Sequence, residues 1–489
     1  MKKNWIAIAV ALIAIAYPAS AWLIGRNVES TMVRNSERML ASAPYMKVIK
    51  RNFQGGVFSS TEDTTIEIAG DLFRSLTKMQ KTAKENPDEE TNPESALDKP
   101  TAISSEPIRP IIIRVVSHVK HGPIAGGGLA LAKVDTEIVF DEKLQQEINK
   151  AFAGKKPLEL ATTMNWAGGG TTLVSSPPAN ISIQQGTGTF GWGGLQGKID
   201  FTKDKATYRS DLTSAGFGFT GGPKKETVKI GAIHVLSEKK RLNQSSHFYL
   251  GKDEGTIKEM SFSSAAEPNK AFALKDITYL GDMSEAAGFA DMTGKMGANS
   301  FLVGVDPYGP VHYDFTFKHL HAATLEKFFK SFGEIYSGKH KTPEEMTSAT
   351  FAPWKIYGPE LLKHNPEFII DRMSFATPEG EALFKGKVKI PGATADDLAN
   401  PSGLVTKVEA SLDLALPEAM AAKLSGAGKE TAEEKAAAAE MMLKQLQSVA
   451  EQGYIIREGK MIKSHFEWKN GRGMINDKPF QMPGAPPQE

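Results

Sequence analysis

A chain of 489 residues with 40% hydrophobic and 24% charged residues has the composition of a folded protein, not a disordered one. Its 58 basic and 57 acidic residues leave a formal net charge of +1, which supplies no electrostatic drive toward nucleic acid. The absence of cysteine excludes disulfides, thiolate metal sites and cysteine nucleophiles.

The N-terminus carries the first element. Lys2 and Lys3 precede Trp5 to Ile24, a run without a charged residue and about as long as a helix needs to span a bilayer core. Lysines resist translocation, so the short leading end is expected to stay inside and Arg26 to Glu489 to lie on the far side of the inner membrane. Ala19-Ser20-Ala21 after Pro18 also fits a signal-peptide cleavage site. Residues 1–25 therefore read as a signal anchor or a cleavable signal peptide. The retained anchor is preferred, because the apolar run continues through Trp22, Leu23 and Ile24.

Residues 26–80 follow as a membrane-proximal helix and first strands. Arg26 to Lys50 mixes charge with Val28, Met32, Val33, Met39 and Leu40, which predicts an amphipathic helix. Phe53 to Ile68 turns strand-like. Residues 81–110, rich in Glu, Pro, Ser and Thr, predict a flexible loop.

Residues 111–480 predict a β-rich region. Tyr313, Phe315 and Phe317 alternate with Asp314, Thr316 and Lys318. Ala382, Phe384, Gly386, Val388 and Ile390 alternate with Lys385, Lys387 and Lys389, and Val408 to Leu416 follows the same rule. Ile462, Ser464, Phe466 and Trp468 lead into an Asn470-Gly471 hairpin turn. Apolar-in, polar-out alternation predicts antiparallel sheet with one wet face. Helices are expected at Lys143–Phe152, at Ala322–Phe332 and at Thr431–Gln452, the last with Met441, Met442, Leu446 and Val449 as a core stripe. No exact repeat stands out, and residues 481–489 read as a loose tail. The expected fold is α+β and β-dominated: elongated, twisted antiparallel sheet with a few packed helices and an N-terminal membrane helix.

Motifs for chemistry are sparse. Gly186 to Gly191 fits G-x-G-x-x-G, but strand and turn follow it where a dinucleotide site needs a helix. Ser75 to Lys78 and Ser237 to Lys240 fit S-x-x-K without the companion elements of a penicillin-binding site. The ten histidines are scattered and no H-E-x-x-H occurs, so no metal, cofactor or catalytic residue is assigned. His319 and His321 would point the same way on a strand. A Ser-His-Asp site assembled from distant residues stays open.

Two segments are less ordinary: Gly55, Gly56, Phe58, Ser59 and Ser60 around an aromatic entering a strand, and the turn His121, Gly122 and Pro123. With the leading apolar segment, the Pro378–Glu381 turn between strands and the closing Ala/Met helix and hairpin, their order resembles the YdgA-like family of bacterial envelope proteins, a domain-of-unknown-function family. The resemblance implies a Gram-negative periplasmic setting and brings no catalytic residues. The expected function is non-enzymatic: a protein held in the inner membrane through residues 5–24 that binds a lipid chain or envelope partner through an apolar sheet face. The alternatives are an envelope hydrolase and a homodimeric assembly scaffold.

Overall fold

A computed structural model describes residues 16–34, 37, 46–68, 111–125, 128–183, 188–222, 225–246, 248–267, 271–303, 306–335, 343–394, 396–397, 401–426 and 431–480. The expected loop 81–110, the tail 481–489 and the first part of the apolar N-terminal run lie outside the described residues. The first described element is helix α1 (16–34), which continues through Pro18 and does not break there. Among the described residues no helix is long and apolar enough to cross a membrane. The amphipathic helix expected up to Lys50 is cut short, because β1 (Met46–Gly55) already occupies that stretch. Val48 and Phe53, with Arg51 between them, place their side chains by strand alternation.

Twenty-five strands among the described residues form one sheet in which every pairing is antiparallel. β1 pairs with β2 (Ser59–Ile68), then come β3 (Ile111–His121), β4 (Ala132–Val139), β5 (Glu159–Met164) and β6 (Gly170–Ser176). The chain then makes local excursions. β7 (Ala179–Ile183) and β8 (Gly188–Trp192) form a hairpin beyond the end of β6, and β9 (Leu195–Phe201) returns beside β6. β10 (Thr207–Ser214), β11 (Phe217–Gly221), β12 (Glu226–Ile230) and β13 (Ile233–Arg241) repeat the excursion. Three long strands, β14 (Tyr249–Ser264), β15 (Phe272–Ala286) and β16 (Phe289–Val303), run through both levels. β17 (Asp306–Tyr308) and β18 (Val311–His321) follow, then β19 (Glu367–Thr377), β20 (Gly380–Lys389) and β21 (Glu409–Pro417). β22 (Ile456–Glu458), β23 (Met461–Lys469), β24 (Arg472–Ile475) and β25 (Lys478–Phe480) close the sheet.

The helices are placed on this sheet as local inserts. α2 (Glu142–Ala151) is capped by Asp141, whose carboxylate accepts from the Leu144 N–H at 3.1 Å. α3 (Ala322–Ile335) and α4 (Pro343–Leu362) pack as a pair between β18 and β19. α5 (Pro401–Lys407) and α6 (Glu418–Ser425) flank β21. α7 (Ala432–Glu451) has a full capping box between Thr431 and Glu434. None of its residues is buried, and Met441 is exposed, so the stripe expected to be core is a partly covered surface resting against α6.

Buried side chains gather in two places. One cluster joins Val28 of α1 to Val119, Ala132 and Val134 of β3 and β4. The other joins Ala290 and Leu320 at the ends of β16 and β18 to Leu325, Phe328 and Leu361 of the α3–α4 pair.

Candidate functional site: an apolar sheet face and the helix docked at its end

Residues directly opposite in an antiparallel ladder share a face, and alternate residues share it along each strand. The registers trace one face from Val134 through Thr162, Thr172, Ile199 and Ser210 to Ser237. Its neighbours two positions along include Val174, Leu212, Val235, Ile257, Tyr279 and Met296, and it continues as Tyr313, Phe315, Met373, Phe384, Leu412 and Phe466. The opposite face carries Lys198, Arg209, Asp211, Lys295, Lys385 and Asp413. One side therefore carries a row of apolar side chains, with the Lys239–Asp253 ion pair and the hydroxyls of Thr162, Thr172, Ser210 and Ser237 beside it, and the other carries charge at the positions just named.

The apolar side is low in relief. Tyr279 lies across Gly255 and Phe315 across Gly294, so closely that a Cβ at either glycine would overlap the ring. Leu412 covers Gly386 in the same way, with a Cβ there only 2.6 Å from the leucine methyl. Large side chains thus lie flat over glycines of the next strand and do not stand up into a core. Away from the two clusters this face is half-open: Met296 is 49% exposed, Met373 41% and Leu414 40%.

A transverse crease crosses the sheet. β6 and β7 are separated by Pro177-Pro178, β8 and β9 by Gly193-Gly194, β10 and β11 by Ala215-Gly216, and β12 and β13 by Gly231-Ala232. The registers set these pairs side by side. The line then runs through Lys258 of β14, Asp276 of β15 and Asn299 of β16, which drop out of the ladder, to Gly309-Pro310 before β18. Gly216 needs its glycine, with φ at 99° and the Ile230 and Gly231 carbonyls against the space a Cβ would fill. Lys258 pairs with Asp276 at 2.5 Å, and its ammonium, outweighing burial, holds the Asp276 carboxyl below its usual range.

At every row the apolar positions resume three residues on: Ile230 and Ile233, Ile257 and Met260, Leu274 and Ile277, Ala298 and Phe301. A regular strand would turn those partners to opposite faces. The registers run through the crease without a shift, so no strand gains a residue; the backbone itself turns there, as at Gly216 with φ 99° and Asp276 with φ 50°. The Trp192 indole N–H donates to Ser176 Oγ at 2.9 Å across the crease, so the outer aromatic row and the inner row share a side there. Beyond the crease that row holds Phe190, Phe217, Phe219, Phe262, Phe272 and Phe301. Of the G-x-G-x-x-G match, Gly186 to Gly191, the described part from Gly188 on lies in strand β8 of this outer level.

The motif residues singled out in the sequence meet at one corner, against α1. The Gly56 N–H donates to Ser59 O at 2.8 Å, closing the turn between β1 and β2, where Gly55 ends β1. Phe58 stacks on Tyr17 of α1 with ring centres 5.6 Å apart. Ser59 is exposed, while Ser60 is buried and its Oγ lies 2.9 Å from His121 Nε2. His121, 2% exposed, places Nδ1 3.0 Å from the Ala21 carbonyl oxygen. That oxygen can only accept, so Nδ1 carries the proton and, in the neutral ring, Nε2 accepts from the Ser60 hydroxyl. Gly122 has φ 138°, and a Cβ there would lie 3.2 Å from the Ala21 methyl; Pro123 continues the turn. Gly25 brings the helix backbone down on the imidazole: a Cβ at that position would overlap the ring.

Chemically this corner is a closed lock. Ser60 and His121 have the hydrogen bond of a nucleophile–base pair, but both are buried and helix α1 sits directly on the imidazole. Sequence reasoning found the residues but not their partner. The signal was available in the small residues Ala21 and Gly25, one turn apart on α1 and flanked by Ile24 and Val28. The crease was missed, although paired Gly, Ala and Pro residues recur through the β-rich region.

Against known proteins, a family model described as bacterial protein of unknown function (DUF945) matches residues 1–483, so the chain belongs to that family. No curated protein and no solved structure matches it.

Proposed function

We propose that this family member binds the acyl chains of lipids along its apolar sheet face, while α1 and the apolar segment before it hold that face beside the inner membrane. The observation that carries the reading is the row of apolar side chains running from Val174 through Leu212, Val235, Tyr279 and Met296 to Met373 and Leu414, half-exposed at the last three and packed into neither buried cluster. An exposed apolar strip of this extent marks an interaction surface. Its flat relief suits a flexible hydrocarbon chain better than a folded partner, whose side chains need pockets. The glycines under Tyr279, Phe315 and Leu412 leave that face room to curl inward into a gutter.

The setting is a bacterial periplasm, with residues 5–24 as the membrane element. What supports it is the charge-free run after Lys2 and Lys3 and the likeness to the YdgA-like envelope proteins in the order of GVFSS, His-Gly-Pro and closing hairpin. The Ser60–His121 contact favours a hydrolase as second reading, and the helix seated over it weighs against that reading.

The test is native mass spectrometry of the full chain purified from membranes in mild detergent, with a photoreactive fatty acid as probe. Bound phospholipid and crosslinks at Leu212, Met296 and Phe384 are expected. A lipid-free protein whose crosslinks fall only on residues 5–34 would leave the membrane element standing and remove the gutter.

A further inference from the structure

Away from both the α1 corner and the open face, three ligand-type side chains converge where the α3–α4 pair meets the sheet. His321 ends β18, and Glu360 and His364 sit one turn apart at the C-terminal end of α4 and just beyond it. One ligating atom from each lies within 4.8 Å of the others, and all three residues are partly buried. From these we propose that His321, Glu360 and His364 bind a zinc-type divalent ion that pins the α3–α4 cover to the edge of the sheet.

The ligand set is the two-histidine, one-carboxylate combination that zinc accepts, with a fourth position open to solvent water. A zinc ion about 2.1 Å from each ligand needs ligand atoms about 3.4 Å apart. The two helix-end side chains reach that spacing by rotamer adjustment. Glu360 is already directed at the imidazole, with Oε1 3.2 Å from His364 Nε2.

The surroundings orient the rings as a metal requires. His321 Nδ1 lies 2.8 Å from Thr324 Oγ1, a buried hydroxyl that can accept the Nδ1 proton and leave Nε2 as ligand. The backbone turns at His319, with φ 60°, so its ring leaves the direction of His321 and Nδ1 donates to the His364 carbonyl at 2.5 Å. Phe289 stacks on His319 with ring centres 3.9 Å apart and stands edge-on to His364 at 5.4 Å. The Asp291 carboxylate accepts from the His319 N–H at 2.8 Å, fixing the turn. His319 is thus a positioning residue and not a ligand. Only the carboxylate four residues before a histidine, Glu360 and His364, was visible in the sequence; the third member, His321, is 39 residues before Glu360, at the start of the helix pair.

The experiment is a zinc titration of the full chain in detergent, read by competition with a chromophoric chelator, together with the visible absorption of the cobalt-loaded protein. One equivalent of ion is expected, with cobalt bands of low coordination number and a higher unfolding temperature in zinc. His364→Ala and Glu360→Gln should each weaken binding at least tenfold, and His465→Ala, far away on β23, should not. Glu360→Gln is isosteric on a half-exposed helix end, so it keeps the test alive if His364→Ala does not fold. Absence of stoichiometric binding, or affinity unchanged in Glu360→Gln and His321→Ala, would overturn the site.

Discussion

The two ends of the apolar face and its middle are built from the same strand pattern but completed differently. At one end, α1 lays Ile24, Val28 and Met32 onto Val119, Val134 and Met164; farther along the same rim, Leu325 and Phe328 of α3 close over Ala290 and Leu320. Between them, Leu212, Val235, Tyr279 and Met296 have the same alternation and no lid. A half-apolar sheet must cover one face. Here the helices finish the job only where they dock, which separates residues that hold the fold from residues available for binding.

The largest effect should come from breaking a covered end. Val28→Asp puts an unpaired carboxylate at a site 2% exposed, and a loss of about 3–5 kcal/mol in helix docking is expected. Native-state protease cutting within residues 16–34 would report it. The matching change in the middle, Leu212→Asp, should alter unfolding by only about 0.5 kcal/mol, as at ordinary surface positions, while cutting bound lipid at least severalfold. Equal destabilisation by the two variants would erase the distinction.

Next in size is Gly216→Val, which forces a branched side chain into a left-handed position against the Ile230 carbonyl. A cost of about 2–4 kcal/mol is expected, confined to the outer level and read by hydrogen exchange of β11 and β12. Ser60→Ala should cost less, about 1–3 kcal/mol, because it orphans His121 Nε2 in a buried corner. Ser60→Thr, which keeps the hydroxyl, should recover part of that loss by thermal unfolding.

The smallest effect concerns acid. Asp397 is held down to about 2 by the Lys407 ammonium and by the Thr394 hydroxyl and N–H. Its folded value lies below the ordinary aspartate value of 3.8, so its contribution is fully present above that value and is lost as pH falls through about 2. Loosening of α5 in that window, followed by the fluorescence of Trp468, whose indole donates to Val405 O at 2.8 Å, is expected in the wild type. Asp397→Asn should be loose already at neutral pH and lack the transition.

Much of this architecture was legible in the residues. The alternations Tyr313–Phe317, Ala382–Val388 and Ile462–Trp468 became β18, β20 and β23 because one apolar side chain in two is a local signal that a half-buried sheet obeys. Thr431 and Gly453 marked α7 to within a residue, since caps are also local. Burial of that helix was not legible, because the same stripe of Met442, Leu446 and Val449 serves a half-covered helix as well as a core one. α4 was hidden by Pro353 and Pro359 within it. The α1 corner and the His–Glu cluster each join residues that are distant in sequence, and periodicity carries no information about that.

The crease has one further consequence. Each of its rows spends the same number of residues crossing it, so outer and inner levels keep step only as a set. Deleting a single residue, Gly231 for instance, would invert the outer half of one strand alone, setting Lys229 between Phe217 and Met260 and turning Val228 to the charged side. The dipeptides along the line differ in kind, from Pro-Pro to Gly-Ala, and Gly216 is held to glycine, but all of them share one length. Inheritance in this family should therefore reject indels along the line more strictly than substitutions outside Gly216, so that a spacing rule can persist where most residues do not.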